Sequence, residues 1–480
     1  MSEGRSTLRS SFSHLRNYLA GGVAAKAIGV VSLPVMTRIL EVEDYGTVHL
    51  VSAYVAILSV LSTLGSTQGV ARHYFEDTDD FPSMLGTALA LSLGLQALFF
   101  AGLFATGLHA VGWSGIPADA FWLVIPLNVA LVLRNLFDAY GKVSQQSRMV
   151  AAVQVVAAYA SFGAAVAFAL ARDTQRYLGV LTGQALVGVL VATFVVTRLL
   201  RVAAFAPAWS QVRYLLAYGL PLVPGMLSQT ILGQLDRVMI GSYSGVRDAG
   251  LYSLAYNIGA LLAILTLALR GAFAPLYFEH MRQGRFEAVD REQARLMRII
   301  VAAAIALCGG AKYVGTVLSG RDFHEGFVII PAVVLGYAFL GMFGLCQYSI
   351  SFSKRTYLSS AVVVVSGVVN VALNAAFIPR YGYQAAAYTT LASYALMAVL
   401  CWAVGRRALD CHTTPFLAYG RPLAMLVPFL ALYIPLANSD VSLLADVVLR
   451  LGLVAVCGWL LLRNDLQEVL MAKKRPPGGT

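Results

Sequence analysis

The sequence predicts an all-α polytopic membrane protein. It has about fourteen transmembrane helices, in two parallel-repeat six-helix bundles with two further C-terminal helices. Three observations carry this. Apolar residues make up 58% of the 480 residues and charged residues only 12%, half the share usual in soluble proteins. Mean hydropathy is +0.72, and apolar stretches of about 20 residues recur along the whole chain. The sequence also echoes itself: Val35-Met36 and Asp44-Tyr45-Gly46 return as Val238-Met239 and Asp248-Ala249-Gly250, an offset of 203–204 residues, and Tyr177 returns as Tyr383. Such a composition excludes a disordered chain and nearly every soluble globular enzyme.

The apolar stretches run over 17–39, 46–71, 83–108, 120–141, 149–171, 178–198, 214–243, 250–274, 298–319, 327–350, 357–378, 384–405, 421–437 and 442–462. The thirteenth is short and holds Pro428 and Pro435. Pro34 interrupts the first stretch, and Pro221 and Pro224 the seventh; they read as hinges or as simple kinks. The longest polar gap, 277–298, reads as a basic amphipathic surface segment. An offset that maps the first span onto the seventh crosses six spans. The two halves therefore keep the same orientation, as parallel repeats do. The expected organisation is a tail over 1–16, an N-terminal bundle over 17–205, a C-terminal bundle over 206–410, two helices over 411–464 and a basic tail over 465–480.

The net charge of +11 records topology. With the N-terminus in the cytoplasm, twenty-three basic residues of tails and loops fall on the cytoplasmic side, and only Arg172, Arg176, Arg247, Arg321 and Arg380 fall on the other. Both termini are then cytoplasmic, and the basic excess needs no nucleic acid. The five cysteines form no CxxC pair, so small buried hydrophobes are expected there, and no metal centre or cofactor. No GxxxxGK[ST] loop is present, so no ATPase is built in.

Several short motifs, in order, resemble a known family. They are Leu33-Pro34 and Arg38 ahead of Asp44-Tyr45-Gly46; Tyr218, Pro221 and Pro224 ahead of Asp236-Arg237; Asp248-Ala249-Gly250 with Tyr252; and Asn370, Asn374, Pro379, Tyr381-Gly382 and Ala385-Ala386. Together, over about 16–405, they resemble the polysaccharide-transport (Wzx-type) flippases of the multidrug/oligosaccharidyl-lipid/polysaccharide exporter superfamily. The resemblance implies a protein of the bacterial inner membrane that moves an undecaprenyl-pyrophosphate-linked repeat unit for O-antigen, capsule or exopolysaccharide. It also implies alternating access driven by an ion gradient, with membrane lipids, a polysaccharide polymerase and a chain-length regulator as partners. A lipid II flippase, a multidrug/cation antiporter and, more distantly, a membrane polymerase or glycosyltransferase stay open as alternatives.

A pyrophosphate cargo calls for cations at membrane depth, because Arg and Lys offer several donors to phosphate oxygens. Seven basic residues lie in or at the ends of spans: Lys26, Arg38, Arg134, Arg237, Arg270, Lys312 and Arg450. The acids counted beside them are Asp138 and Asp236. Depth singles out Lys26 and Arg134, near mid-span, as substrate-binding residues, followed by Arg270 and Arg237. Arg134 and Asp138, four apart on one helical face, also read as a simple ion pair. Asp138 and Asp236 are the ion-coupling candidates, with His49 a third. Tyr54, Tyr256, Tyr348 and Tyr394 are candidate sugar-stacking rings, although packing accounts for most tyrosines in such a chain.

Reporter fusions after Arg148, Arg213, Arg298 and Lys354 are expected to report cytoplasm, and a fusion at Val246 the opposite side. If the first four alternate, the span count is wrong.

Overall fold

The computed structural model describes residues 21–474 except Val23, Lys26, 77–79, 106–114, 205–207, 409–410 and 438–441. The helices are α1 (Ala27–Ile39), α2 (Val42–Thr63), α3 (Ser66–Glu76), α4 (Phe81–Ala105), α5 (Ala118–Val143), α6 (Ser147–Leu170), α7 (Arg176–Leu200), α8 (Trp209–Gly219), α9 (Val223–Tyr243), α10 (Val246–Gly259), α11 (Leu261–Arg282), α12 (Phe286–Leu318), α13 (Ile330–Phe352), α14 (Thr356–Ala408), α15 (Phe416–Ala424), α16 (Leu426–Ala437) and α17 (Leu443–Lys474). Among the described residues, twelve helical stretches are long and apolar enough to cross a membrane. One of them, Thr356–Arg407, breaks at Gly382 (φ 61, ψ −149) into two helices. The apolar helix α1 is shorter.

Burial is inverted relative to a soluble protein. Leu98, Val156 and Leu190 are 71%, 62% and 61% exposed, while Ser92, Gln96 and Asn128 are buried. Outward apolar faces with inward polar groups suit a hydrocarbon solvent, and some inward groups bond to backbone: Asn128 Nδ2 donates to the Val55 carbonyl at 3.2 Å and Gln96 Nε2 to the Ser92 carbonyl at 3.3 Å. The chain is a multi-pass membrane protein.

Two compact units divide the chain. The first comprises 1–254, 318–325 and 367–386. Its α6 and α7 pack through small residues, with Gly179 against the Phe168 carbonyl and Gly183 against Ala164. Phe81, Leu85, Leu136, Phe137 and Leu199 form an apolar core around α4, α5 and α7. The second comprises 255–317, 326–366 and 387–480. There Gly341 of α13 lies against Ile300 and Thr266, and Gly309 of α12 against Val454 of α17.

The repeat appears as paired contacts within the first unit. A Cβ on Gly46 would strike the carbonyl oxygen of Val246, and one on Gly250 the carbonyl oxygen of Val42. Both members of this exchange are 204 positions apart. A second exchange follows the same rule. Gly320 lies against the Thr37 carbonyl, and Gly115 (φ 88) lies 3.1 Å from the Gly241 carbonyl by the same construction. A third echo involves the tyrosines: Tyr177 Oη donates to the Asp119 carboxylate at 3.1 Å, and Tyr383 Oη to the Glu325 carbonyl at 3.2 Å. All these residues gather at one end of the unit, where Arg247 also meets Glu325 at 3.0 Å and Glu43 at 3.9 Å.

Three sequence expectations need correction. The second span is not continuous over 46–71: Leu64 (φ 47) and Gly65 (φ 72) are left-handed and part α2 from α3. The segment 277–298 is not a gap between spans: it is the end of α11 and the start of α12, joined by a tight turn at Gly284 (φ 68). Pro34 leaves α1 unbroken, whereas Pro221 falls in a 3₁₀ turn over Leu220–Leu222 and Pro224 opens α9.

Gly46→Ala and Gly250→Ala should each destabilise the protein by about 1–3 kcal/mol, through overpacking against a carbonyl that cannot move away. Gly94→Ala, with open space beside it, serves as the control. Thermal unfolding in detergent checks this: equal melting temperatures for all three variants would show that the contact is not tight.

Candidate functional site

Arg134 sits on α5 nine residues before its end, roughly 13 Å along the axis at 1.5 Å per residue. It lines an open cavity of about 270 Å³ bordered by α2, α5, α6 and α7. Ser52, Ser161 and Gln184 supply polar groups to the wall; Val55, Leu127 and Val191 are among its apolar residues. The guanidinium is half-buried and has no hydrogen bond or ion pair among the described residues. The pairing read from the four-residue spacing is not made. Asp138 instead accepts from Gln154 Nε2 of α6 at 2.8 Å, and its other oxygen has no hydrogen bond among the described residues. The cavity has room for a phosphoryl group and not for a sugar repeat.

The other cations fare differently. Lys26 lies outside the described residues. Arg237 of α9 is buried; its Nη1 donates to the Gly233 carbonyl at 2.8 Å, and its guanidinium lies 5.8 Å from the centre of the Tyr252 ring. Arg270, in the second unit, lies over Gly344 and donates to Gln347 Oε1 at 3.3 Å. Arg38 folds back onto the Pro34 carbonyl at 2.6 Å. Lys312 and Arg450 meet an acid that hydropathy counting passed over: Asp446 of α17, at 3.2 and 2.6 Å. The membrane-level surplus is therefore seven bases to three acids, not seven to two.

Asp236 is fully buried on α9 in the first unit. Tyr252 Oη donates to Oδ2 at 2.6 Å, and Asn374 Nδ2 to Oδ1 at 2.6 Å. Asn374 also reaches Asn370 Oδ1 at 3.2 Å, and Asn370 Nδ2 has no hydrogen-bond partner among the described residues. Short bonds of this kind mark a charge-assisted network. Sequence reasoning listed Asn370, Asn374 and Tyr252 only as motif residues. Their spacing, an Asn pair four apart on one helix, is the signal that places both on one face. The His49 ring lies against that of Tyr45, with centroids 4.4 Å apart and planes tilted by 56°. Tyr256 and Tyr394 share a hydroxyl bond of 3.0 Å, and Tyr348 stacks on Tyr277, so these rings are packing residues.

Residues 17–281, more than half of the chain, match the family model described as polysaccharide biosynthesis protein. The chain belongs to that family. It is 21% identical to an Lsg-locus protein of Haemophilus influenzae, over 72% of this chain and 86% of that protein. It is 26% identical to the succinoglycan biosynthesis transport protein ExoT of Rhizobium meliloti, over 54% of this chain and 52% of that one. The fold is similar to that of a lipid II flippase, MurJ, in an inward closed conformation: the TM-score is 0.70 at 12% identity, covering 94% of this chain and 99% of the flippase. This family member thus has a transporter fold, with one unpaired membrane-level arginine in a cavity and one buried, hydrogen-bonded carboxylate.

Asn374→Ala should lower stability by about 1–3 kcal/mol, because it removes a donor from a buried carboxylate. Arg134→Ala should change it less, since no hydrogen bond or close ion pair is lost, only a longer-range attraction to Asp138. Melting temperatures in detergent decide; the reverse order would make Arg134 the structural residue.

Proposed function

We propose that this chain is a flippase that carries an undecaprenyl-pyrophosphate-linked oligosaccharide across the bacterial inner membrane, for O-antigen, capsule or exopolysaccharide synthesis. The observation that carries the reading is Arg134: a guanidinium at membrane depth, in a cavity, with no hydrogen bond or close ion pair among the described residues. Such a group is costly in hydrocarbon unless it serves an anion or a wet cavity. A pyrophosphate is a fitting guest, because a planar fork of donors matches its oxygens. The family match and the fold support the reading.

In this reading Lys26 and Arg134 receive the pyrophosphate. Arg270, in the second unit, is a further substrate-binding candidate; its guanidinium donates to Gln347 at 3.3 Å. Arg237, turned back on its own helix, contributes charge rather than contact. Of the two coupling candidates Asp236 is the better supported. It is buried among Tyr252, Asn370 and Asn374, where a carboxylate is most sensitive to gaining a proton or a cation. Asp138, with one oxygen bonded to Gln154, is the second. Both termini lie in the cytoplasm, and the polymerase and chain-length regulator act on the delivered cargo.

In sealed vesicles a labelled lipid-linked oligosaccharide should cross only when the protein is present, without nucleotide, and with a distribution that responds to an imposed proton or sodium gradient. Arg134→Ala should reduce the rate at least tenfold with the protein still folded, and Arg134→Lys should recover part of it. Asp236→Asn should remove the response to the gradient. A strict ATP requirement, or transport of cationic drugs with no lipid-linked sugar moved, would overturn the reading.

A further inference from the structure

The second unit carries a cleft that the transport reading does not use. It has a volume of about 690 Å³ and is open on one side. Its walls are the first turns of α12, the helix α15 and the stretch 460–465 of α17. Five arginines line it: Arg291, Arg295, Arg298, Arg421 and Arg463. Three acids line it too, but each is already engaged. Asp465 takes Arg298 through two bonds of 2.6 and 2.7 Å, Asp290 takes His412 at 2.8 Å, and Glu292 lies 3.9 Å from Arg295. Arg463 lies 5.7 Å from the centre of the Trp459 ring. Arg291 and Arg421 are exposed and have no hydrogen bond or ion pair among the described residues.

The position of the cleft is as informative as its charge. The charged turns of α12 end at Arg298, and the apolar run begins at Ile299. On α15 the apolar run follows Arg421, and on α17 it ends at Leu462, just before Arg463. Three helices therefore cross the hydrocarbon boundary here. Met425, Leu460 and Leu461 form the apolar part of the wall, next to the arginines. A basic rim above an apolar wall at a bilayer surface matches a lipid with a phosphodiester head and acyl chains, whereas a soluble phosphate would leave the apolar wall unused.

The geometry points to a binding site for the headgroup of an anionic phospholipid of the surrounding leaflet. The phosphate sits on Arg291 and Arg421, and an acyl chain runs along Leu460 and Leu461. The inference is independent of the cargo: it holds whether or not this chain moves a lipid-linked sugar.

Native mass spectrometry of the purified full chain tests it, with phosphatidylglycerol, phosphatidylcholine or glycerol 3-phosphate added. Phosphatidylglycerol should be retained at least fivefold over phosphatidylcholine. Arg291→Gln and Arg421→Gln should each lower that retention, and together abolish the preference, whereas Arg38→Gln should leave it intact. Thermal unfolding gives a second readout: phosphatidylglycerol should raise the wild-type melting temperature and not that of the double variant. Equal retention of the two phospholipids, or a double variant that binds like the wild type, overturns the proposal. Glycerol 3-phosphate that displaces the lipid at equal concentration would assign the cleft to soluble phosphates and overturn the lipid assignment. Preferential capture of a polyprenyl pyrophosphate over phosphatidylglycerol would do so too.

Discussion

The first unit depends on backbone coming against backbone where α2 and α10 begin. Gly46 and Gly250 each lie against a carbonyl of the other helix, and no side chain fits between them. Without a hydrophobic force between helices in lipid, close approach of small residues is the main means of holding two of them together. The neighbouring exchange, Gly115 with Gly241 and Gly320 with Thr37, extends the same constraint into the adjoining loops. The ion pairs of Arg247 with Glu325 and Glu43 lie on exposed side chains, where such pairs are worth little, so they decorate the contact and do not create it.

The membrane-level charges sort by what they meet. Asp446 is buried with Arg450 and also takes the exposed Lys312, so these charges are tied up in a structural cluster. Arg237 and Arg38 are absorbed by carbonyls of their own helices. Asp236 is held by three polar side chains through two short direct bonds and one relayed through Asn374. Among the candidates that are described, only Arg134 makes neither a hydrogen bond nor a close ion pair. That contrast, more than depth in the span, separates a charge kept for architecture from one kept for a guest.

Much of this was legible in the sequence, because hydropathy and loop charge are properties of whole segments. The spans, their order and the repeat follow from windows of about 20 residues. What such windows miss is local or pairwise. The left-handed Leu64 carries no signal of its own, and Gly65 beside it, a helix-stop residue, is outweighed by the apolar run on both sides, so the break between α2 and α3 stayed hidden. Asp446 lay in an apolar stretch and escaped the acid count until its neighbours Lys312 and Arg450 were seen around it. The spacing of Arg134 and Asp138 suggested a pair, but Gln154 on the next helix offers the carboxylate a neutral donor, and no sequence offset encodes that. Asn370 and Asn374 were visible as a motif, but their tie to Asp236 needed α9 and α14 in place.

The exchange of contacts between Val42, Gly46, Val246 and Gly250 has the form of an isologous interface, in which residue i meets j and j meets i. Such a surface is self-complementary: a free half-chain carrying it would find its match in a second copy of itself. Fusion of two such copies into one gene keeps the contact but frees the two sides to drift apart, as Tyr45 and Ala249 already have. The glycines are the exception to that freedom. A bulkier residue at either position must be accommodated by the opposite half, so the two sites form one steric constraint, although more than two hundred residues separate them in the chain.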